Sequence, residues 1–130
     1  MKNDIDFTKI SQRDLGYLTG IYVGDGNIFQ KYGINRLRIF LGLNEKKIQE
    51  KIISLMKYVV NHTRTYKTKD NTFVIEVHSK QLVKLIQDLS SKDGLKSHQD
   101  KNFLIGFIEG LIDSDGYVKR NYVEITTANE

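Results

Sequence analysis

The sequence predicts an α+β fold: one αββαββα unit with a four-stranded antiparallel sheet, followed by a second motif helix and a truncated strand pair. Three observations predict it. Helical and strand periodicities alternate in the order helix, strand pair, helix, strand pair, helix, which closes naturally as a sheet with helices on one face. An unusual glycine-lined helix is written twice. The strand that follows its first copy is echoed after its second.

The second copy, Asn102 to Val118, is apolar until it ends on carboxylates and a glycine, and Gly106, Gly110 and Ser114 recur every fourth residue. In a helix this spacing forms one stripe of small residues, which lets another helix approach backbone against backbone. In the first copy, Leu15 to Ile28, Gly16, Gly20, Gly24, Asp25 and Gly26 match Gly106, Gly110, Ser114, Asp115 and Gly116 without a gap, at a constant offset of 90 (115 − 25). Two such helices are expected to pack on each other about a local pseudo-twofold axis. Asp25 and Asp115 would then meet at one end of the pair, and Gly116 would let the chain turn away.

Residues 1–10 are polar and read as a lead-in. Ser11 to Asp14 has the form of a capping box and starts the first helix, which runs to about Gly24. Asn27–Gln30 and Arg36–Leu43 read as strands joined by Lys31 to Asn35. Leu37, Ile39 and Leu41 alternate with Arg36, Arg38 and Phe40, so one face buries and the other carries cations and an aromatic ring. Asn44 is expected to cap a helix to about Val60, with Ile48, Ile52, Leu55, Met56 and Val59 as its apolar stripe. Lys46, Lys47, Lys51 and Lys57 lie outside that stripe and read as solubilising surface. Arg64–Lys69 and Phe73–His78 form a second hairpin turned at Asp70 and Asn71, with Phe73, Ile75 and Val77 inward. Arg64, Tyr66, Lys67, Lys69, Glu76 and His78 are left for the exposed side or the rims. Ser79 caps a helix that buries Leu82, Leu85, Ile86 and Leu89, and Ser90 to Gln99 reads as a polar link.

After the second motif, Val123 to Glu130 resembles Arg38 to Glu45 at an offset of 85 (130 − 45). Residues 1–99 are thus the first unit with its linker, and 100–130 the second motif helix and first hairpin of an incomplete second unit. A whole second unit would need a further stretch as long as Glu45 to Gln99, so the chain reads as a fragment of a longer protein. The missing half would come from that protein or from a partner in a homodimer.

Composition narrows the class. The chain has 130 residues, 39% hydrophobic and 28% charged, as expected of one globular domain. A net charge of +4 allows a polyanionic partner without requiring one. With no cysteine there is no disulfide and no cysteine-ligated zinc, and His62, His78 and His98 are too scattered to suggest a zinc site. Met-Lys-Asn-Asp-Ile-Asp is too polar for a signal peptide, and no apolar run is long enough to span a membrane. A cytoplasmic, nucleoid-associated location or an organellar one is expected.

Phe107 to Gly116 closely resembles the motif that names the LAGLIDADG (dodecapeptide) homing endonuclease family, and Tyr17 to Gly26 resembles it more loosely. Two copies, each followed by a strand pair, make the resemblance specific. It covers this whole chain, but only part of a two-motif enzyme. It implies that the motif helices pack at the centre of paired units and that their terminal acids bind a divalent metal, normally Mg²⁺. It also implies that the sheets form a saddle in the major groove of double-stranded DNA, and that both strands are cut. By position, Asp25 and Asp115 would be the catalytic, metal-binding acids, preceded by Gly24 and Ser114, while Asp113 falls at an earlier, non-catalytic acid position.

The chemistry agrees with that implication. Two carboxylates brought together do not both stay ionised cheaply unless a cation lies between them. Hard oxygen donors suit Mg²⁺, and a metal-activated water hydrolyses phosphodiesters without a Ser, Cys or His nucleophile. Arg36, Arg38, Arg64, Lys67, Lys69 and His78 are either a solvated face or a set of phosphate and base contacts. Family enzymes usually place polar residues at strand ends near the acids; here those places hold Gly42, Leu43, Thr127 and Ala128, with Lys31 or Lys119 as substitutes. The leading expectation is a site-specific double-strand DNA endonuclease. A non-cleaving DNA-binding regulator and an RNA-splicing maturase of the same fold are the alternatives.

Overall fold

The computed structural model describes residues 7–97 and 100–114. They form α1 (Gln12–Asp25), β1 (Gly26–Lys31), β2 (Ile34–Gly42), α2 (Lys46–Met56), β3 (Arg64–Lys67), β4 (Thr72–His78), α3 (Lys80–Ser90), α4 (Lys92–Ser97) and α5 (Lys101–Asp113), after a 3₁₀ turn at Phe7–Lys9. The expected helices and the four-stranded antiparallel sheet are both present. The expected strand pair at Val123 to Glu130 lies outside the described residues. The described chain groups into two compact units: residues 7–10 with 26–83, and residues 11–25 with 84–114.

The first unit is built on the sheet, in the order β1-β2-β4-β3, with every neighbouring pair antiparallel. Strand β1 returns as β2 through a two-residue turn, Tyr32-Gly33, shorter than the five-residue link expected. Register runs unbroken from Gly26 opposite Ile39 to Lys31 opposite Ile34. Both turn residues have positive φ, 56° and 76°, the hand that matches strand twist. Leu37, Ile39 and Leu41 are buried as expected. Strand β4 differs from expectation. Val74 and Glu76 are buried as well as Ile75 and Val77, whereas Phe73 is only half-buried. β4 is a central strand, and on its outer face the side chains of Arg64, Tyr66 and His78 gather on Glu76, which local alternation does not anticipate.

Ile52, Leu55 and Met56 of α2 and Val59 just beyond it are buried, as their spacing predicts. Its cap is not Asn44. Glu45 holds that position without capping through its side chain, and instead accepts a hydrogen bond from the Gly42 amide at 2.7 Å. Gln49, also buried, donates to the Gly42 carbonyl at 2.7 Å, so the end of β2 is tied down through its backbone. Ser79 does cap α3, accepting from the Leu82 amide at 3.1 Å.

The second unit is organised around α1 and α5. The Ser11 hydroxyl accepts from the Asp14 amide at 3.1 Å, so the predicted cap starts α1. Asp100 performs the same service for α5, accepting from the Phe103 amide at 3.1 Å. A Cβ on Gly16 would overlap the Phe103 carbonyl, and one on Gly106 would overlap the Arg13 carbonyl. Likewise Gly20 meets the Phe107 carbonyl, and Gly110 the Tyr17 carbonyl. Each contact becomes its counterpart when 90 is added to one partner and subtracted from the other, so the sequence repeat is a spatial pseudo-twofold. Contacts climb both helices together, so α1 and α5 run in the same direction. Tyr17, Ile21, Phe103, Phe107 and Leu111 are fully buried around the contact, each worth about 1.5–3 kcal/mol relative to exposure.

The polar link expected at Ser90 to Gln99 contains a short helix, α4, with Leu95 fully buried. Ser91 starts it, its hydroxyl accepting from the Gly94 amide at 2.9 Å. One apolar residue among polar neighbours gives no period, so only burial reveals the turn. Among the described residues no helix is long and apolar enough to cross a membrane.

Gly106→Val should lower the unfolding free energy by about 3 kcal/mol, because two backbones would have to part. Ile105→Ala, on an exposed position of the same helix, should cost less than about 1 kcal/mol. Urea titrations of both variants read the contrast.

Candidate metal and nucleic-acid sites

Because α1 and α5 are parallel, their C-terminal ends lie at the same end of the pair. Asp25 is the last residue of α1, half-buried, and β1 begins at the next residue. Gly24 precedes it within the last turn. Ser114 ends α5, its amide donating to the carbonyls of Gly110 and Leu111 and its hydroxyl to that of Leu111 at 3.3 Å. Asp115 lies outside the described residues, so of the two candidate metal-binding acids the position of Asp25 is the one described. Among the described residues no cluster of three metal-ligating side chains occurs. The described donors near this end are hard: the Asp25 carboxylate and the backbone oxygens of Gly24 and Ser114. That chemistry suits a divalent cation.

Asp113 has a different task. Its carboxylate accepts a 2.6 Å hydrogen bond from the hydroxyl of Tyr17, which crosses from α1. One turn earlier, Arg13 makes a two-pronged ion pair with Glu109, at 2.9 and 2.6 Å. Both bridges link the same two helices, and the charged hydrogen bonds of Glu109 raise the Arg13 pKa. The glycines expected to line the pair, Gly16, Gly20, Gly106 and Gly110, all do so.

The second candidate site is the outer face of the sheet. Register puts Asn27, Phe29 and Lys31 of β1, Arg36, Arg38 and Phe40 of β2, Glu76 and His78 of β4, and Arg64 and Tyr66 of β3 on one face. Each arginine lies over a ring: Arg36 over Phe29 at 4.8 Å, Arg38 over Phe40 at 5.7 Å, and Arg64 over Tyr66 at 4.8 Å. Such stacking holds a guanidinium flat while leaving its edge free to bond. The Nε atoms of Arg36 and Arg38 are buried without a hydrogen-bond partner among the described residues. An Arg38 Nη donates to Asn27 at 3.1 Å.

Not every expected cation joins this face. Lys67 pairs with Phe73 and so belongs to the opposite side of the sheet, though exposed on the edge strand. Lys69 lies in the β3–β4 turn and is exposed, whereas Lys31, at the last position of β1, is on the face and exposed. Lys119 lies outside the described residues. Gly42 is the last residue of β2 and Leu43 follows it, both half-buried.

The residue that sequence reasoning missed is Glu76, left for the rim but only 3% exposed. One carboxylate oxygen accepts from the Tyr66 hydroxyl at 3.2 Å, and the other lies 3.1 Å from His78 Nε2 and 3.5 Å from an Arg64 nitrogen. Burial pushes its pKa up, but the bonds from His78 and Tyr66 and the charge of Arg36 outweigh burial and hold it below the usual carboxylate range. The available signal was a lone acid in a strand of apolar residues.

No family model matches the chain. It is 29% identical over 116 residues to the uncharacterised protein MJ0398 of Methanocaldococcus jannaschii, covering 86% of this chain and 42% of that protein. The chain thus spans less than half the length of this relative. Among solved structures, mesophilic variants of the homing endonuclease I-DmoI align over 91% of this chain and 75% of theirs, with a TM-score of 0.71 at 19% identity. I-DmoI in complex with DNA and Ca aligns over 91% of this chain and 70% of its own, at 0.67 and 20%. Its complex with DNA and Mn aligns over 91% and 76%, again at 0.67 and 20%. The chain therefore has the fold of the LAGLIDADG homing endonucleases, the fold its two motifs resemble.

Two outcomes are expected. Tyr17→Phe leaves Asp113 without its donor and should cost about 1.5–3 kcal/mol in denaturant titration. Because the Glu76 pKa is depressed on folding, its stabilising contribution is complete above the unfolded glutamate value of about 4.3 and is lost as pH falls through the lower folded value. Glu76→Gln should flatten the stability profile across that acid window.

Proposed function

We propose that the chain belongs to a site-specific double-strand DNA endonuclease of the homing type, in which α1 and α5 carry the metal-binding acids and the sheet face contacts DNA. The observation that carries the reading is the glycine-packed parallel pair, whose contacts interchange under the 90-residue repeat. Such a pair brings the C-terminal ends of both helices together, with Asp25 at the end of α1, and hard oxygen donors there suit a cation. I-DmoI, of the same fold, has been solved with DNA and with Ca or Mn, and a variant of it with target DNA in the presence of Mg.

In this reading Asp25 and Asp115 hold a divalent cation, Mg²⁺ by preference, with the backbone oxygens of Gly24 and Ser114 nearby. A bound cation of this kind supplies a water of lowered pKa and neutralises charge developing on a phosphodiester. Tyr17 engages Asp113, so that acid bridges the two helices rather than holding the cation. Arg13 and Glu109 keep the two helices in register. Arg36, Arg38, Arg64, His78, Lys31, Lys69 and Lys119 make the phosphate and base contacts, the stacked arginines as base readers and the lysines as phosphate partners, while Lys67, on the opposite side of the sheet, drops out of the set. A second active unit, from the rest of a longer chain or from a homodimer, completes the recognition surface.

A second reading, a non-cleaving DNA binder, is favoured by one feature. The end of β2 carries no polar side chain of its own at Gly42 or Leu43, and the neighbouring Glu45 and Gln49 side chains are engaged by the Gly42 backbone.

The test is plasmid nicking with a randomised-site library and Mg²⁺. Asp25→Asn should reduce nicking more than about 100-fold while DNA affinity at fixed salt stays unchanged. Chelation should abolish nicking in the same way. Binding without metal-dependent nicking in the unaltered chain would select the second reading.

A further inference from the structure

We infer that Glu76 is a positioning residue of the sheet face: by gathering Arg64, Tyr66 and His78 onto one buried carboxylate, it makes that face choose among DNA sequences rather than simply attract phosphate. The inference rests on the DNA-binding reading above and deepens it by naming what sets selectivity.

Glu76 is too buried, at 3% exposure, to touch a base itself. Its influence passes through its neighbours, which are accessible: the Arg64 side chain is 65% exposed and that of His78 56%. Register concentrates the effect. Arg38, Glu76 and Arg64 form one rung across three strands, and Arg36 stands opposite His78 on the next.

Charge argues against a role in raw affinity. Sequence-independent binding grows with every cation facing the phosphates, and an anion under the face works against it. Packing argues against a merely space-filling role, since Val74 two residues earlier fills the same face of β4 without burying a charge. What the carboxylate does supply is direction. A guanidinium distinguishes guanine from other bases only when its fork is aimed, and a long free side chain loses entropy on being aimed. Arg64 lies over the Tyr66 ring and reaches Glu76 at 3.5 Å, and Tyr66 is itself bonded to Glu76, so the guanidinium is drawn to one place from two sides.

The experiment uses the whole chain and two duplexes of equal length: one enriched by the chain from a randomised pool, and one of random sequence. Glu76→Gln should raise affinity for the random duplex, steepen the salt slope by about one, and lower preference for the enriched duplex about tenfold. Arg64→Ala should lower the preference similarly, and the double variant should lose less than the product of the two effects, because both act through one arrangement. Tyr66→Phe keeps the charge and removes one hydrogen bond; it should lower the preference about threefold with an unchanged circular dichroism spectrum. This variant carries the test if Glu76→Gln does not fold. Unchanged preference in these variants, with enrichment by the unaltered chain intact, overturns the role of Glu76 and leaves DNA binding standing. Failure of the unaltered chain to enrich any duplex overturns the DNA-binding reading and this inference with it.

Discussion

The contact on which the second unit depends is between two backbones. Side chains ordinarily keep helix axes about 8–10 Å apart. Gly16, Gly20, Gly106 and Gly110 remove that spacer, and carbonyl groups of the opposite helix occupy the space a Cβ would need. The close approach sets the direction of both helices and their relative rotation. It therefore determines which residues share their C-terminal end. Asp25 arrives there because it lies nine residues after Gly16 on the same rigid rod (25 − 16).

The polar bridges across this pair follow from the same constraint. With the axes so close, Tyr17 reaches Asp113 and Arg13 reaches Glu109. Neither pair obeys the repeat: the counterpart of Tyr17 is Phe107, and the counterpart of Asp113 is Val23. The backbone contact is symmetric while its polar decoration is not. The pseudo-twofold thus belongs to the glycines and apolar residues, and the charged residues distinguish one helix from the other.

The sheet face obeys a different rule. Its cations are held by rings and by one buried acid rather than by backbone fit. Three arginines over three rings could form a rigid but indiscriminate surface. Glu76 breaks that uniformity by drawing Arg64, Tyr66 and His78 to one point. A surface with an anion at its centre presents a pattern of charge, and pattern is what recognition of one polyanion over another requires.

What the sequence determined by itself was whatever short-range periodicity encodes. The order of helices and strands, the Ser11 and Ser79 caps, the inward set Leu37, Ile39 and Leu41, and the glycine stripe with its repeat were all legible, because each depends on residues within a few positions of one another. What only the tertiary structure decided involved partners distant in sequence. The burial of Glu76 depends on Arg64 and Tyr66 of another strand, the side taken by Lys67 depends on its pairing with Phe73, and the helix at Lys92–Ser97 depends on the burial of Leu95. Asn44 is the better cap by local propensity, yet the Gly42 amide at the end of β2 claims the Glu45 carboxylate, and Glu45 takes the cap position. Local propensity offers a residue its options, and long-range hydrogen bonds and burial select among them.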